Sequence, residues 1–148
     1  MSTLMRNTSE REQVRSYLMN MAPRNLAPYQ LEEWIAEQMV IEDYRRQALK
    51  KMIAALPKVV ELAQTRCSAG HIAATLLLNL YNRHEWHFDL VGMRNLDFDN
   101  WRACMDVLSY QTLSSPNKDV HHYISGGSRV LQELWSRYES TSNYIGRK

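Results

Sequence analysis

The sequence predicts an all-α fold: a bundle of six or seven helices with one long helix in its N-terminal half and a central apolar helix. Glycine (5 residues) and proline (4 residues) are scarce among the 148 residues, whereas methionine (8 residues) is frequent. Glycine and proline disfavour helices most, and straight side chains favour them. A chain of this length buries roughly 70% of its unfolded surface as one unit. We therefore predict one helical domain covering residues 1–148.

The N-terminal part is predicted to contain one short and one long helix. A capping box at Ser9–Glu12 marks the start of the first helix, and residues 1–27 comprise that helix and a linker. Pro28 suits the first position of a helix. No other glycine or proline occurs before Pro57, so this helix is predicted to be long, 28–56. This helix would be roughly 42 Å long, against a diameter of ~38 Å for a compact chain of this size. It is therefore expected to project as an arm or to kink near residues 39–43.

The rest of the chain is predicted to form the core bundle, residues 57–139, followed by a frayed tail, residues 140–148. Pro57 is expected to start a further helix. Ser68 is expected to cap the next helix, 69–82, which is apolar around most of its circumference. Helices of that composition usually lie at the centre of a bundle.

Further boundaries follow from capping residues. Asp97 or Asp99 is expected to cap one helix, and Ser115-Pro116 to begin a short one. Gly126-Gly127 ends that short helix, and Ser128 caps the last one. Residues 84–90 alternate between polar and apolar side chains, which is typical of a short extended segment.

The charge pattern of the long helix provides the main functional hypothesis. The charged residues of its first half are all acidic, and those of its second half are all basic. The acids are Glu32, Glu33, Glu37, Glu42 and Asp43. The helix dipole accounts for such charges in the terminal turns alone. An antiparallel pair would oppose acidic and basic halves around a polar layer, in which Glu42 and Arg45 form an i,i+3 ion pair. We predict a non-enzymatic protein that binds itself or a protein partner through Trp34, Gln38, Glu42, Arg45, Leu49, Met52 and Ile53.

Two other functions stay open. The first is a nucleic-acid-binding regulator or accessory factor, which would use the basic residues Arg45, Arg46, Lys50, Lys51 and Lys58. The second is a metal-dependent enzyme with the ligands His84, His87 and Asp89, although that spacing fixes no geometry in a loop. The adjacent pair His121-His122 is not expected to share a ligand direction on a helix. The turn Ser125–Ser128 is interpreted as a helix end followed by a cap.

Composition and the N-terminal residues indicate the cellular compartment and limit the classes of partner. The net charge of +2 does not by itself indicate nucleic acid or an anionic membrane. Cys67 and Cys104 are interpreted as small buried thiols of a reducing compartment. The N-terminal residues have no apolar signal core, and the longest apolar run, 72–81, is too short to span a bilayer. We therefore expect a cytoplasmic protein without a membrane association, an enzymatic activity or a cofactor.

The C-terminal half, residues 70–138, contains a series of short motifs: Gly70, Leu76-Leu77-Leu78, Leu80-Tyr81-Asn82, Phe88-Asp89-Leu90, Leu96-Asp97, Val107-Leu108, Val120-His121 and Gly127. Through these motifs it resembles a family of small bacterial proteins associated with plasmids and other mobile elements. This resemblance implies an accessory protein of a bacterial mobile element, and it supplies no catalytic residues. The long helix lies outside it.

Overall fold

The computed structural model describes residues 8–113 and 118–146, and within these residues the protein is all-helical. Its five α-helices are α1 (Thr8–Met21), α2 (Pro28–Gln64), α3 (Ser68–Tyr81), α4 (Phe98–Gln111) and α5 (Gly127–Tyr138). Two short 3₁₀ helices are η1 (Val91–Asn95) and η2 (Val120–Tyr123). None of the helices in the described residues combines the length and the apolar character needed to cross a membrane. The chain divides into two compact units, unit 1 (Met1–Lys50) and unit 2 (Lys51–Lys148).

Unit 1 contains α1 and the first part of α2, which ion pairs hold together. Arg15 pairs with Glu32 at 2.6 Å, and Arg46 pairs with Glu10. The predicted capping box at Ser9 lies inside α1, because the helix already includes Thr8. Among residues 8–50 of this unit, few apolar side chains are buried: Leu18, Ile35 and Ala48.

The long helix is longer than predicted, because Pro57 does not start a new helix. The helix α2 continues through Pro57 to Gln64 and has 37 residues. It also has no break at residues 39–43. Proline removes one backbone hydrogen bond and costs about 3 kcal/mol in a helix interior. The neighbouring Leu56 and Val59 are fully buried in unit 2, and this packing offsets the cost. The predicted count of six or seven helices is therefore not confirmed in the described residues.

The core of unit 2 is built around α3. Residues 73–78 of this helix are all buried, and α3 packs against α4, α5, η1 and η2. Its N-cap is Cys67 and not Ser68, since the Cys67 Sγ atom accepts a hydrogen bond from the Gly70 amide at 3.3 Å. A Cβ atom at Gly70 would lie only 1.9 Å from the Thr65 carbonyl oxygen, so the chain turns too tightly there for a side chain.

The predicted caps of the later helices differ in outcome. Asp97 caps α4, where its Oδ1 accepts a hydrogen bond from the Asn100 amide at 2.8 Å. Ser128 does not cap α5; that position belongs to Gly126, whose φ of 61° lies in the left-handed region that glycine favours. The short helix expected around Val120 is the 3₁₀ helix η2. The expected start at Ser115-Pro116 lies outside the described residues.

The segment after α5 pairs with the segment after α3. The His87 amide donates to the Asn143 carbonyl at 2.7 Å, and the Ile145 amide donates to the Glu85 carbonyl at 2.8 Å. These bonds flank an isolated antiparallel bridge between Trp86 and Tyr144. Residues 141–146, which the sequence places in a frayed tail, are thus hydrogen-bonded to the predicted extended segment.

Candidate functional site

The residues predicted to bind a partner along α2 are mostly half-buried. The Glu42–Arg45 ion pair forms as predicted, with Arg45 Nε 3.4 Å from Glu42 Oε1. Met52 is fully buried, whereas Ile53 is 52% exposed. The remaining predicted residues are each partly covered: Trp34, Gln38 and Leu49. Partner binding by this stripe stays a prediction, and the stripe is not the most exposed apolar face of α2.

That face lies elsewhere on α2. Tyr29, Val40 and Tyr44 are 67%, 69% and 56% exposed, and together they form what we call the hairpin surface. At about 100° per residue, Tyr44 lies about 180° around the helix axis from the buried Ile35. The sequence contains a signal for this face, since Val40 is an apolar residue of α2 that lies outside the stripe of predicted partner-binding residues.

Charged side chains lie on either side of the Val40–Tyr44 part of the hairpin surface. Glu33 and Glu37 are exposed before Val40, and Lys50 is exposed after Tyr44. The two arginines of the basic stretch, Arg45 and Arg46, are each ion-paired with a carboxylate of unit 1. The exposed bases among the predicted nucleic-acid residues are Lys50, Lys51 and Lys58.

A concavity of about 870 Å³ lies in unit 2 beside the start of α3. Cys67, His71 and Asn143 all line it. A hydrogen bond of 3.0 Å joins His71 Nε2 to Asn143 Oδ1, and the His71 ring meets Tyr138 edge-on at 4.9 Å. His71 therefore attaches the C-terminal segment to α3.

The two cysteines differ in environment. Cys67 is exposed, so its predicted burial is wrong; a position at the end of a helix leaves the thiol open to solvent. Cys104 is buried in α4 as predicted, and desolvation by burial raises the pKa of its thiol to about 11. Both thiols are free.

The predicted metal ligands His84, His87 and Asp89 do not converge. All three residues are exposed, and in the described residues they are not among the side chains that gather at metal-binding separations. Asp89 instead accepts a hydrogen bond from the Gly92 amide at 3.1 Å, at the start of η1.

A different set of metal-ligand side chains converges on η2. The ligand atoms of Asp119, His121 and His122 all lie within 4.8 Å of one another. The expectation that the two adjacent histidines point apart is wrong, since their ring centroids are 4.0 Å apart. Adjacent residues are about 120° apart in a 3₁₀ helix, against about 100° in an α-helix, so the helix type does not bring the two rings together. The side-chain conformations of the two histidines do.

Two aromatic contacts hold η2 in place. The His121 ring meets Tyr81 of α3 edge-on at 5.0 Å, and Tyr123 meets Tyr110 of α4 at 6.0 Å. Burial, a hydrogen bond to Tyr110 and the charge of Tyr110 raise the pKa of Tyr123 to about 12. The short helix is thus anchored on both sides.

The sequence matches one established protein family over more than half of its length. The match covers residues 53–139, and the family is a family of unknown function, DUF7673. The chain belongs to DUF7673. This confirms the expected membership of an uncharacterised family. Neither the curated proteins nor the solved structures include a significant match.

The DUF7673 match lies within unit 2. It includes the end of α2, the cluster on η2 and most of the residues that line the concavity, among them Cys67 and His71, but not Asn143. The hairpin surface lies outside it, so membership of DUF7673 does not assign a role to unit 1.

Proposed function

We propose that this protein is a non-enzymatic interaction protein that binds a second copy of itself through the hairpin surface. One observation carries the proposal. In the described part of unit 1, three apolar side chains are buried and seven large ones are exposed. The exposed ones are Tyr17, Met19, Met21, Tyr29, Val40, Ile41 and Tyr44.

A unit of this kind gains stability when a partner covers it. Even a 60-residue unit buries only about 60% of the surface of its unfolded chain, so unit 1 (Met1–Lys50) is marginal by itself, and oligomerisation is one remedy. Full burial of one large apolar side chain contributes about 1.5–3 kcal/mol. Covering Val40 and Tyr44 of the hairpin surface would therefore offset several kcal/mol of the free-energy cost of association.

Charge order favours a second copy in antiparallel orientation as the partner. The acids Glu33 and Glu37 precede the apolar centre, and Lys50 follows it. An antiparallel second copy would bring its basic end against the acidic end of the first. Complementary charges at an interface also set the orientation of the two chains.

The proposal also includes a cellular location and ranks two alternative functions. The resemblance to mobile-element proteins supports an accessory role in a bacterial cytoplasm. Nucleic-acid binding through Lys50, Lys51 and Lys58 is the alternative, and ion pairing of the two neighbouring arginines reduces the positive charge it would use. An enzyme at His84, His87 and Asp89 ranks last, because these side chains do not gather.

The test is the mass of the tag-free protein in solution, measured by sedimentation over a 1000-fold concentration range. We expect a mass that rises from 17.4 kDa toward twice that value, and a weaker association at high salt because the flanking charges are screened. Val40→Glu and Tyr44→Glu should each weaken association by about 10- to 100-fold.

Leu90→Glu is the matched control. Leu90 is 61% exposed, similar to Val40, but it lies in unit 2. It should leave association unchanged. A monomer mass at every concentration would contradict the proposal, as would an equal effect of the control. Retention of DNA or RNA by the wild type, lost on replacing the three lysines by alanine, would favour the alternative.

A further inference from the structure

We infer that Asp119, His121 and His122 form a binding site for a divalent transition-metal ion such as Zn²⁺. Two imidazoles and one carboxylate are a ligand set that zinc and related ions take in proteins. This inference does not depend on the hairpin surface, which belongs to unit 1.

The separations are close to those that a metal ion requires. Ligand atoms that each lie about 2.0–2.1 Å from a tetrahedral Zn²⁺ are about 3.3–3.5 Å from one another. The ligand atoms of Asp119, His121 and His122 lie within 4.8 Å of one another. Asp119 and His122 are exposed, so rotation of their side chains can close the remaining distance.

His121 is the fixed member of the set. Its ring packs edge-on against Tyr81, and its backbone lies against the start of α5. Its Nδ1 atom is buried and has no hydrogen-bond partner in the described residues. A buried polar atom without a partner costs about 1–3 kcal/mol. Coordination of a metal ion through Nδ1 would satisfy that atom.

The carboxylate of Asp119 is also available. Asp119 occupies the N-cap position of η2, but its side chain makes no capping hydrogen bond there. Its carboxylate lies within 4.8 Å of the ligand atom of His122. Three protein ligands at an exposed position leave at least one coordination site for water or for a ligand from outside.

The experiment is titration of tag-free, metal-stripped full-length protein with Co²⁺, read by its visible absorption, followed by competition with Zn²⁺. We expect one ion per chain. Asp119→Asn and His122→Ala should each weaken binding at least tenfold, and both residues are exposed, so the variants should keep their fold. Circular dichroism confirms that they do.

The matched control is His84→Ala combined with His87→Ala, which removes two exposed histidines from the other candidate set. It should leave binding unchanged. The inference is overturned if the wild type takes up no ion at millimolar metal. It is also overturned if Asp119→Asn and His122→Ala bind as the wild type does, or if the control loses the ion.

Discussion

Replacement of Gly127 by alanine tests the close approach between α5 and η2. The added Cβ atom would lie 1.9 Å from the His121 carbonyl oxygen and 2.7 Å from the carbonyl carbon. Non-bonded carbon atoms prefer about 3.5 Å, and both of these atoms belong to the backbone, so no change of rotamer relieves the contact. The start of α5 must therefore move away from η2 by about 1 Å. Overpacking of this kind costs about 1–3 kcal/mol, and we expect the upper end.

Urea denaturation, monitored by circular dichroism, measures how far Gly127→Ala lowers the free energy of unfolding. The expected loss corresponds to a fall in melting temperature of about 6–12 °C for a chain of this length. Gly126→Ala is the control: no atom lies within 4 Å of its added Cβ, but its φ is 61°, which costs a side-chain-bearing residue roughly 1–2 kcal/mol. If Gly127→Ala loses no more stability than Gly126→Ala, the reasoning about the close approach is refuted.

Three further predictions concern single residues of known environment. Pro57→Ala should raise the free energy of unfolding by about 1–3 kcal/mol, because it restores a hydrogen bond inside α2; an unchanged urea midpoint would contradict this. A thiol reagent at pH 8 should modify Cys67 at once and Cys104 only on unfolding; two fast thiols would show that Cys104 is not buried. Burial raises the pKa of Cys104 from 9.0 to about 11, so its contribution to stability is full below pH 9 and is lost as the pH rises toward 11; Cys104→Ala should remove this part of the decline in an alkaline denaturation series.

Several elements follow from local sequence alone. Helical spacing and the absence of breakers place α3 and the first part of α2, and Asp97 caps α4 through a hydrogen bond to a residue three positions away. The Glu42–Arg45 pair likewise depends only on i,i+3 spacing. These features involve neighbours in the chain, so local rules are enough to predict them.

Other features depend on partners that are distant in the chain. The continuation of α2 through Pro57 is stabilised by packing of Leu56 and Val59 in unit 2, where a tertiary contact outweighs a local preference of a few kcal/mol. The short helix η2 contacts α3 and α4 through the ring pairs His121–Tyr81 and Tyr123–Tyr110. The left-handed turn at Gly126, which displaces the cap from Ser128, is by contrast a local feature.

The sequence by itself determined the helical class of this protein, the long helix and the charge order along it, because these depend on composition and periodicity. Only the tertiary structure decided which face of α2 stays exposed and which polar side chains meet. Val40 is an apolar residue, yet its side chain is 69% exposed in the structure. Convergence of Asp119 with His121 and His122 depends on the conformations of three neighbouring side chains, which periodicity does not specify. His84 and His87, the histidines predicted from the sequence as metal ligands, lie outside the helices and do not converge.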